Sequence, residues 1–162
     1  MQGDPKTIHH LQAQLRNELT ITSQYRLHHQ ILQHWGLERL ARREYDESRG
    51  EMQHADRLMA RILMLGGMPL LQELGKLMVG QDVPQILDCD LRGERAAQLT
   101  LKEGIAHCEV ARDYVSRQLL LDLLQDTEGQ ITYLETQLDL IDKVGLPNYL
   151  QSQMGQAAAA AA

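Results

Sequence analysis

Apolar residues recur along this chain at steps of three and four, the spacing of an α-helix that buries one face. Asp4-Pro5 opens the first run, an N-cap acceptor followed by proline at the first helical position. Ile8, Leu11, Leu15, Glu18, Thr22, Tyr25, His29 and Leu32 then share a face, and the run ends near Trp35-Gly36. A second stripe, Leu40, Glu44, Glu47, Glu51, His54, Leu58, Ile62 and Leu65, stops at Gly66-Gly67. Residues Gly67 to Gln81 include Pro69, Gly75 and Gly80 and keep no helical period, so they predict an extended connection. Asp82 caps a third helix with the stripe Leu87, Asp90, Glu94, Ala97, Leu101, Ile105 and Cys108. After a break near Asp113, a fourth carries Leu120, Leu123, Thr127, Gln130, Leu134, Leu138 and Ile141. Gly145-Leu146-Pro147 ends it, and a short final helix is expected from Asn148 to about Met154.

The connections predict the topology. Tight links make helices one and two antiparallel, and likewise three and four. The connection of about 15 residues between two and three is long enough to run the length of a bundle. Two antiparallel hairpins joined by one long crossover form the ferritin-like arrangement among all-α four-helix bundles, here with a short fifth helix. The expected domain spans residues 1–154, followed by a Gly/Gln/Ala-rich tail, 155–162, whose run Ala157 to Ala162 is too short to hold a helix alone.

Composition narrows the picture. The chain of 162 residues has no Phe and only 4% aromatics, so its core is aliphatic. A net charge of −6 with no basic stripe argues against nucleic acid as a partner. No apolar run reaches membrane-spanning length, and no signal-peptide core stands at the N-terminus. Cys89 and Cys108 lack metal-ligand spacing and read as buried, inert thiols, which fits a reducing cytoplasm.

Three of the four inward stripes carry a carboxylate at mid-helix, where a bundle core is ordinarily apolar: Glu18, then Glu51 with His54 three residues on, then Glu94. Any one of them alone reads as an ordinary surface acid. Together, converging carboxylates imply a cation or a shared proton. One Glu from each of two helices plus Glu-x-x-His from each of the other two is the di-iron carboxylate plan. Its oxygen and imidazole ligands suit iron without excluding manganese, zinc or cobalt. Glu18 to Glu51 is 33 residues and Glu18 to His54 is 36; the same steps from Glu94 land on Thr127 and Gln130. Neither is the expected Glu or His. Glu128 lies one residue off the stripe, about 100° around the helix. The predicted metal set is therefore Glu18, Glu51, His54 and Glu94, with the fourth helix deficient. His28, His29 and His34, near the end of the first helix, read most simply as solvated or satisfied surface histidines, with weak metal contact as the rival.

Nearly the whole chain, from Met1 to about Met154, resembles bacterioferritin. The resemblance rests on Asn17-Glu18-Leu19, Trp35-Gly36-Leu37, Tyr45-Asp46-Glu47-Ser48, Glu51-Met52-Gln53-His54-Ala55-Asp56-Arg57, Asp113-Tyr114-Val115-Ser116-Arg117, Gly145-Leu146 and Asn148-Tyr149-Leu150. It implies a hollow shell of twenty-four subunits storing a ferric mineral. It also implies haem b shared across each two-fold subunit pair and held by one methionine from each partner, at the position of Met52. Met52 is turned about 100° from Glu51 and faces away from the bundle interior. Spacing alone favours a methionine packed at an interface, and the resemblance favours an axial haem ligand. The family's six di-iron positions fall on Glu18, Glu51, His54, Glu94, Thr127 and Gln130, and the last two depart from it. Tyr25 reads as an electron donor near the site or as a plain core tyrosine.

The resulting expectation is a haem-binding subunit that lacks ferroxidase chemistry and retains one residual iron site. It would share a shell with a ferroxidase-competent subunit, while a small ferredoxin-type donor supplies electrons for iron release. The rival is an active ferroxidase with an altered Glu/His site, helped by Glu128 through a helix shift. A purely structural shell protein is the third option.

Overall fold

The computed structural model describes residues 1–155. Among them it has five helices: α1 (Pro5–His34), α2 (Glu38–Met64), α3 (Val83–Ala111), α4 (Tyr114–Val144) and α5 (Leu146–Gln153). The run Ala157 to Ala162 lies outside the described residues. Three of the four long helices start with an aspartate accepting a backbone N–H three residues on, as the sequence predicts for Asp4 and Asp82; at Asp113, expected only as a break, the structure adds a cap. Asp4 Oδ2 accepts from Thr7 at 3.0 Å, Asp82 Oδ1 from Gln85 at 2.9 Å and Asp113 Oδ1 from Ser116 at 3.0 Å. The fifth helix starts two residues earlier than expected, because Pro147 fits its first turn instead of closing α4. No helix of the described residues is long and apolar enough to cross a membrane.

α1 packs along α2 and α3 along α4, and α1 also faces α3, which makes the four-helix bundle. The link from α2 to α3, residues 65–82, has no helix and runs along α1. Side chains of α1 hold its backbone at intervals of four or eight residues. Gln12 Oε1 accepts from Leu70 N at 3.0 Å and Thr20 Oγ1 from Gly75 N at 2.7 Å. Gln24 Oε1 accepts from Met78 N at 3.0 Å and His28 Nε2 from Gly80 N at 3.1 Å. A loop with no ladder of its own thus satisfies these backbone donors on a helix.

The core is divided. One apolar cluster, with Leu11, Leu15, Leu58, Ile62, Leu101 and Leu120 at its centre, fills the end where α1 begins. A second, with Leu32, Leu40, Ile86, Leu87, Leu134 and Tyr149, fills the other end. Between them lies a band of buried polar side chains from all four long helices. Burying so many polar groups is costly without partners, so the band marks the place to look for chemistry.

Candidate metal centre

Glu18 on α1 and Glu51 and His54 on α2 come together inside this band, their ligand atoms within 4.8 Å of one another. All three are buried. His54 Nδ1 lies 3.1 Å from Glu51 Oε2 and 3.5 Å from Glu18 Oε2. Gln14 Nε2 donates to Glu18 Oε1 at 2.6 Å, which fixes that carboxylate, while Glu18 Oε2 is buried without a hydrogen-bond partner. An orphaned carboxylate oxygen beside a second carboxyl and an imidazole is the donor set of a divalent-cation site, and the residues present fit iron.

In the metal-free chain, protons hold this cluster together. Burial pushes the Glu51 carboxyl up to about 8, and the neighbouring Glu18 pushes the same way. Burial opposes the imidazolium of His54, but the carboxyl groups of Glu18 and Glu51 beside Nδ1 outweigh it and raise the group to about 11. The proton on Nδ1 occupies the edge of the ring that a cation would take. On the opposite edge Nε2 lies 2.9 Å from Asp126 Oδ2 of α4. A carboxylate on the far nitrogen orients a metal-ligating histidine and fixes its tautomer. The sequence pattern did not point to Asp126, whose position beside Thr127 looks like the outer face of α4.

Glu94 and Gln130 lie in the same band but are committed elsewhere. Tyr25, fully buried, donates its phenolic hydrogen to Glu94 Oε1 at 2.6 Å and receives one from Gln130 Nε2 at 3.1 Å. Burial and then the charge of Glu51 push Glu94 well above the carboxylate range, with Tyr25 pulling the other way. Burial first, then Glu94, pushes the Tyr25 phenol up in turn. Gln130 Oε1 accepts from Arg43 at 2.8 Å. Thr127 is buried and offers a neutral hydroxyl. Glu128 is exposed and accepts from Gln98 Nε2 at 3.1 Å, turned away from the cluster. Met52 is 40% exposed and lies outside the bundle core.

The histidines at the end of α1 depart from the surface reading. His28 is fully buried, His29 is half-buried and its Nδ1 lies 2.7 Å from Ala41 O, and His34 is exposed. A step of three from Tyr25 reaches His28, and the helix takes that step rather than the step of four to His29. Because Gly80 N–H donates to Nε2, the His28 hydrogen sits on Nδ1 and is donated to Asp90 Oδ1 at 2.9 Å. Gln24 Nε2 donates to the same oxygen at 2.8 Å. Glu44 completes a second buried group with these two, and burial, then Asp90, pushes its carboxyl well up. Both of His28's nitrogens are spent on hydrogen bonds, while Glu44 Oε2 and Asp90 Oδ2 are buried without partners, so a cation here would have carboxylate ligands only.

Comparison with known proteins agrees with the geometry. A family model described as ferritin-like domain matches residues 8–144. A bacterioferritin from Brucella melitensis is 46% identical over 151 residues, covering 93% of this chain and 94% of that protein. A bacterial ferritin from Synechocystis is 46% identical, covering 95% and 99%. A bacterioferritin from Rhodobacter capsulatus is 43% identical, covering 90% of each.

Proposed function

We propose a function for a chain that belongs to the ferritin-like family and, within it, to the bacterioferritins: it is an iron-storage shell subunit that binds haem b but does not itself oxidise iron rapidly. The observation that carries this reading is the split between the two halves of the site. Glu18, Glu51 and His54 converge on one cation position. On α4, neutral Thr127 and Gln130 add no anionic ligand, and Gln130 is held by Arg43 and Tyr25. A paired oxidation by oxygen needs two irons bridged by carboxylates, and one intact half gives one ion.

Met52 supports the haem part of the reading. Its exposed thioether lies beside the inward-facing Glu51, on a face from which a two-fold partner could supply a second methionine. Haem b, when bound, supplies one-electron transfer, and a ferredoxin-type donor outside the shell would feed electrons toward the stored mineral. The chain then works in the cytoplasm, in a mixed shell whose other subunit performs the ferroxidase step.

The test is the fast phase of Fe(II) oxidation by oxygen in shells of this chain alone, at about two irons per subunit, the stoichiometry of a paired site. We expect no fast phase. A fast phase that disappears in Glu51→Ala would overturn the reading and make the chain an active ferroxidase with an altered site. Glu128 does not favour that rival, since its carboxylate is bound to Gln98 on the outer face.

A further inference from the structure

We infer that Arg43 is a built-in cation that stands in for the second metal ion and limits this site to one. The inference deepens the single-ion reading above and rests on it. Arg43 is an α2 residue whose guanidinium is fixed from three directions. Its terminal nitrogen donates to Gln130 Oε1 at 2.8 Å. Its carbon lies 3.8 Å from the centre of the Tyr133 ring, a cation–π distance. Its Nε lies 3.1 Å from Glu47 Oε1, one helical turn on. An arginine gripped by an amide, an aromatic face and a carboxylate is not a free surface side chain, although it reaches solvent on one side.

The charge is passed inward. An amide is polarised by a cation at its oxygen, and its N–H hydrogens become better donors. Gln130 Nε2 donates to Tyr25, and Tyr25 donates to Glu94 Oε1. Arg43, Gln130, Tyr25 and Glu94 therefore form one directed chain from a guanidinium at the edge of the bundle to a buried carboxyl. Glu94 receives positive polarisation through these bonds. Gln is suited to this position because a single amide accepts from arginine and donates to tyrosine at once. A divalent ion among Glu94 and residues 127 and 130 would meet the guanidinium across one amide, and water screens the repulsion only from the outer side of Arg43.

It follows that restoring the missing ligands is not sufficient to restore the second ion. Co(II) bound by Glu and His gives visible d–d bands, so ions per subunit can be counted by titrating assembled shells of the full chain with Co(II) alone. We expect one tight Co(II) per subunit in the parent, and one again in Thr127→Glu/Gln130→His, with any second ion at least tenfold weaker. Adding Arg43→Met, which keeps length and removes charge, should bring the second ion to within a few-fold of the first; adding Arg43→Lys should not. Two equally tight ions in Thr127→Glu/Gln130→His, with Arg43 in place, would overturn the inference, as would a single ion when Met replaces Arg43. If the added Glu prevents assembly, Arg43→Met alone should gain a weak second Co(II) absent from the parent at the same concentration, and its absence would overturn the inference equally. Two tight ions in the parent would instead defeat the single-ion reading itself.

Discussion

Glu51, a candidate metal ligand, shows what burying a carboxyl costs the metal-free fold. Glu51 is raised on folding from an ordinary 4.5 to about 8. A group whose folded value is raised contributes stability below its unfolded value and loses it as pH climbs through the folded one. The metal-free chain therefore loses stability between about pH 4.5 and 8, where unfolding releases the proton that this buried carboxyl still holds. Glu51→Gln still accepts from His54 and removes the cost. A tenfold change in proton affinity corresponds to about 1.4 kcal/mol, so metal-free Glu51→Gln should exceed the parent by on the order of 2 kcal/mol near pH 8.5. The gap should close toward pH 5 in thermal melts of the two proteins. A variant that melts at or below the parent at pH 8.5 would remove this account. Glu18, Glu51 and His54 were legible in the sequence as a converging group, because mid-helix acids on a leucine stripe conflict with burial; Glu94 was legible as a buried acid, but its bond to Tyr25 was not. Asp126 and Arg43 were not, since each lies off its stripe and reaches the band only through the length of its side chain. The burial of His28 is not legible in the sequence, because steps of three and four from Tyr25 are equally good on paper.

At the scale of elements, the turn between α3 and α4 is where side chains do what glycine does elsewhere. Arg112 holds a left-handed φ of 57°, where Gly36 and Gly66 serve after α1 and α2. The next residue, Asp113, caps α4 and at the same time pairs with Arg61 of α2 at 2.8 Å, while Arg61 Nε donates to Ser116 Oγ at 2.9 Å. Burial opposes the charge on Asp113, but the Ser116 hydrogen bonds and Arg61 together hold its carboxyl below the usual range. Asp113→Ala leaves Arg61 buried without its anion and α4 without its cap. The loss should be on the order of 3 kcal/mol, seen as a lower denaturation midpoint, with Asp113→Asn milder. An unchanged midpoint would mean the pair contributes nothing. The sequence named Asp113 as a break but gave no sign of Arg61, since a link between α2 and α4 is a fact of packing and not of local pattern.

For the whole molecule, the proposal that this chain works beside a ferroxidase-competent subunit makes a claim about assembly. Co-expressed with a bacterioferritin subunit that keeps all six metal ligands, it should appear in mixed shells by native mass spectrometry. Exclusive homo-oligomers would defeat that part of the proposal. The helix order and long crossover were legible because loop lengths and caps leave few ways to pack four amphipathic helices. The division of the core into two apolar ends around a polar band was legible only in part, since Gln14, Gln24 and Ser48 look like surface residues until the neighbouring helices close over them. The segment 65–82 adds something that neither loops nor helices usually provide. Gln12, Thr20, Gln24 and His28 take hold of it at fixed points, and Gln24 and His28 also grip Asp90 of α3. The segment is therefore a ruler. Sliding it by one residue would detach every point at once, so it sets the vertical phase of one hairpin against the other, and with it the level at which the acids of α1, α2 and α3 meet.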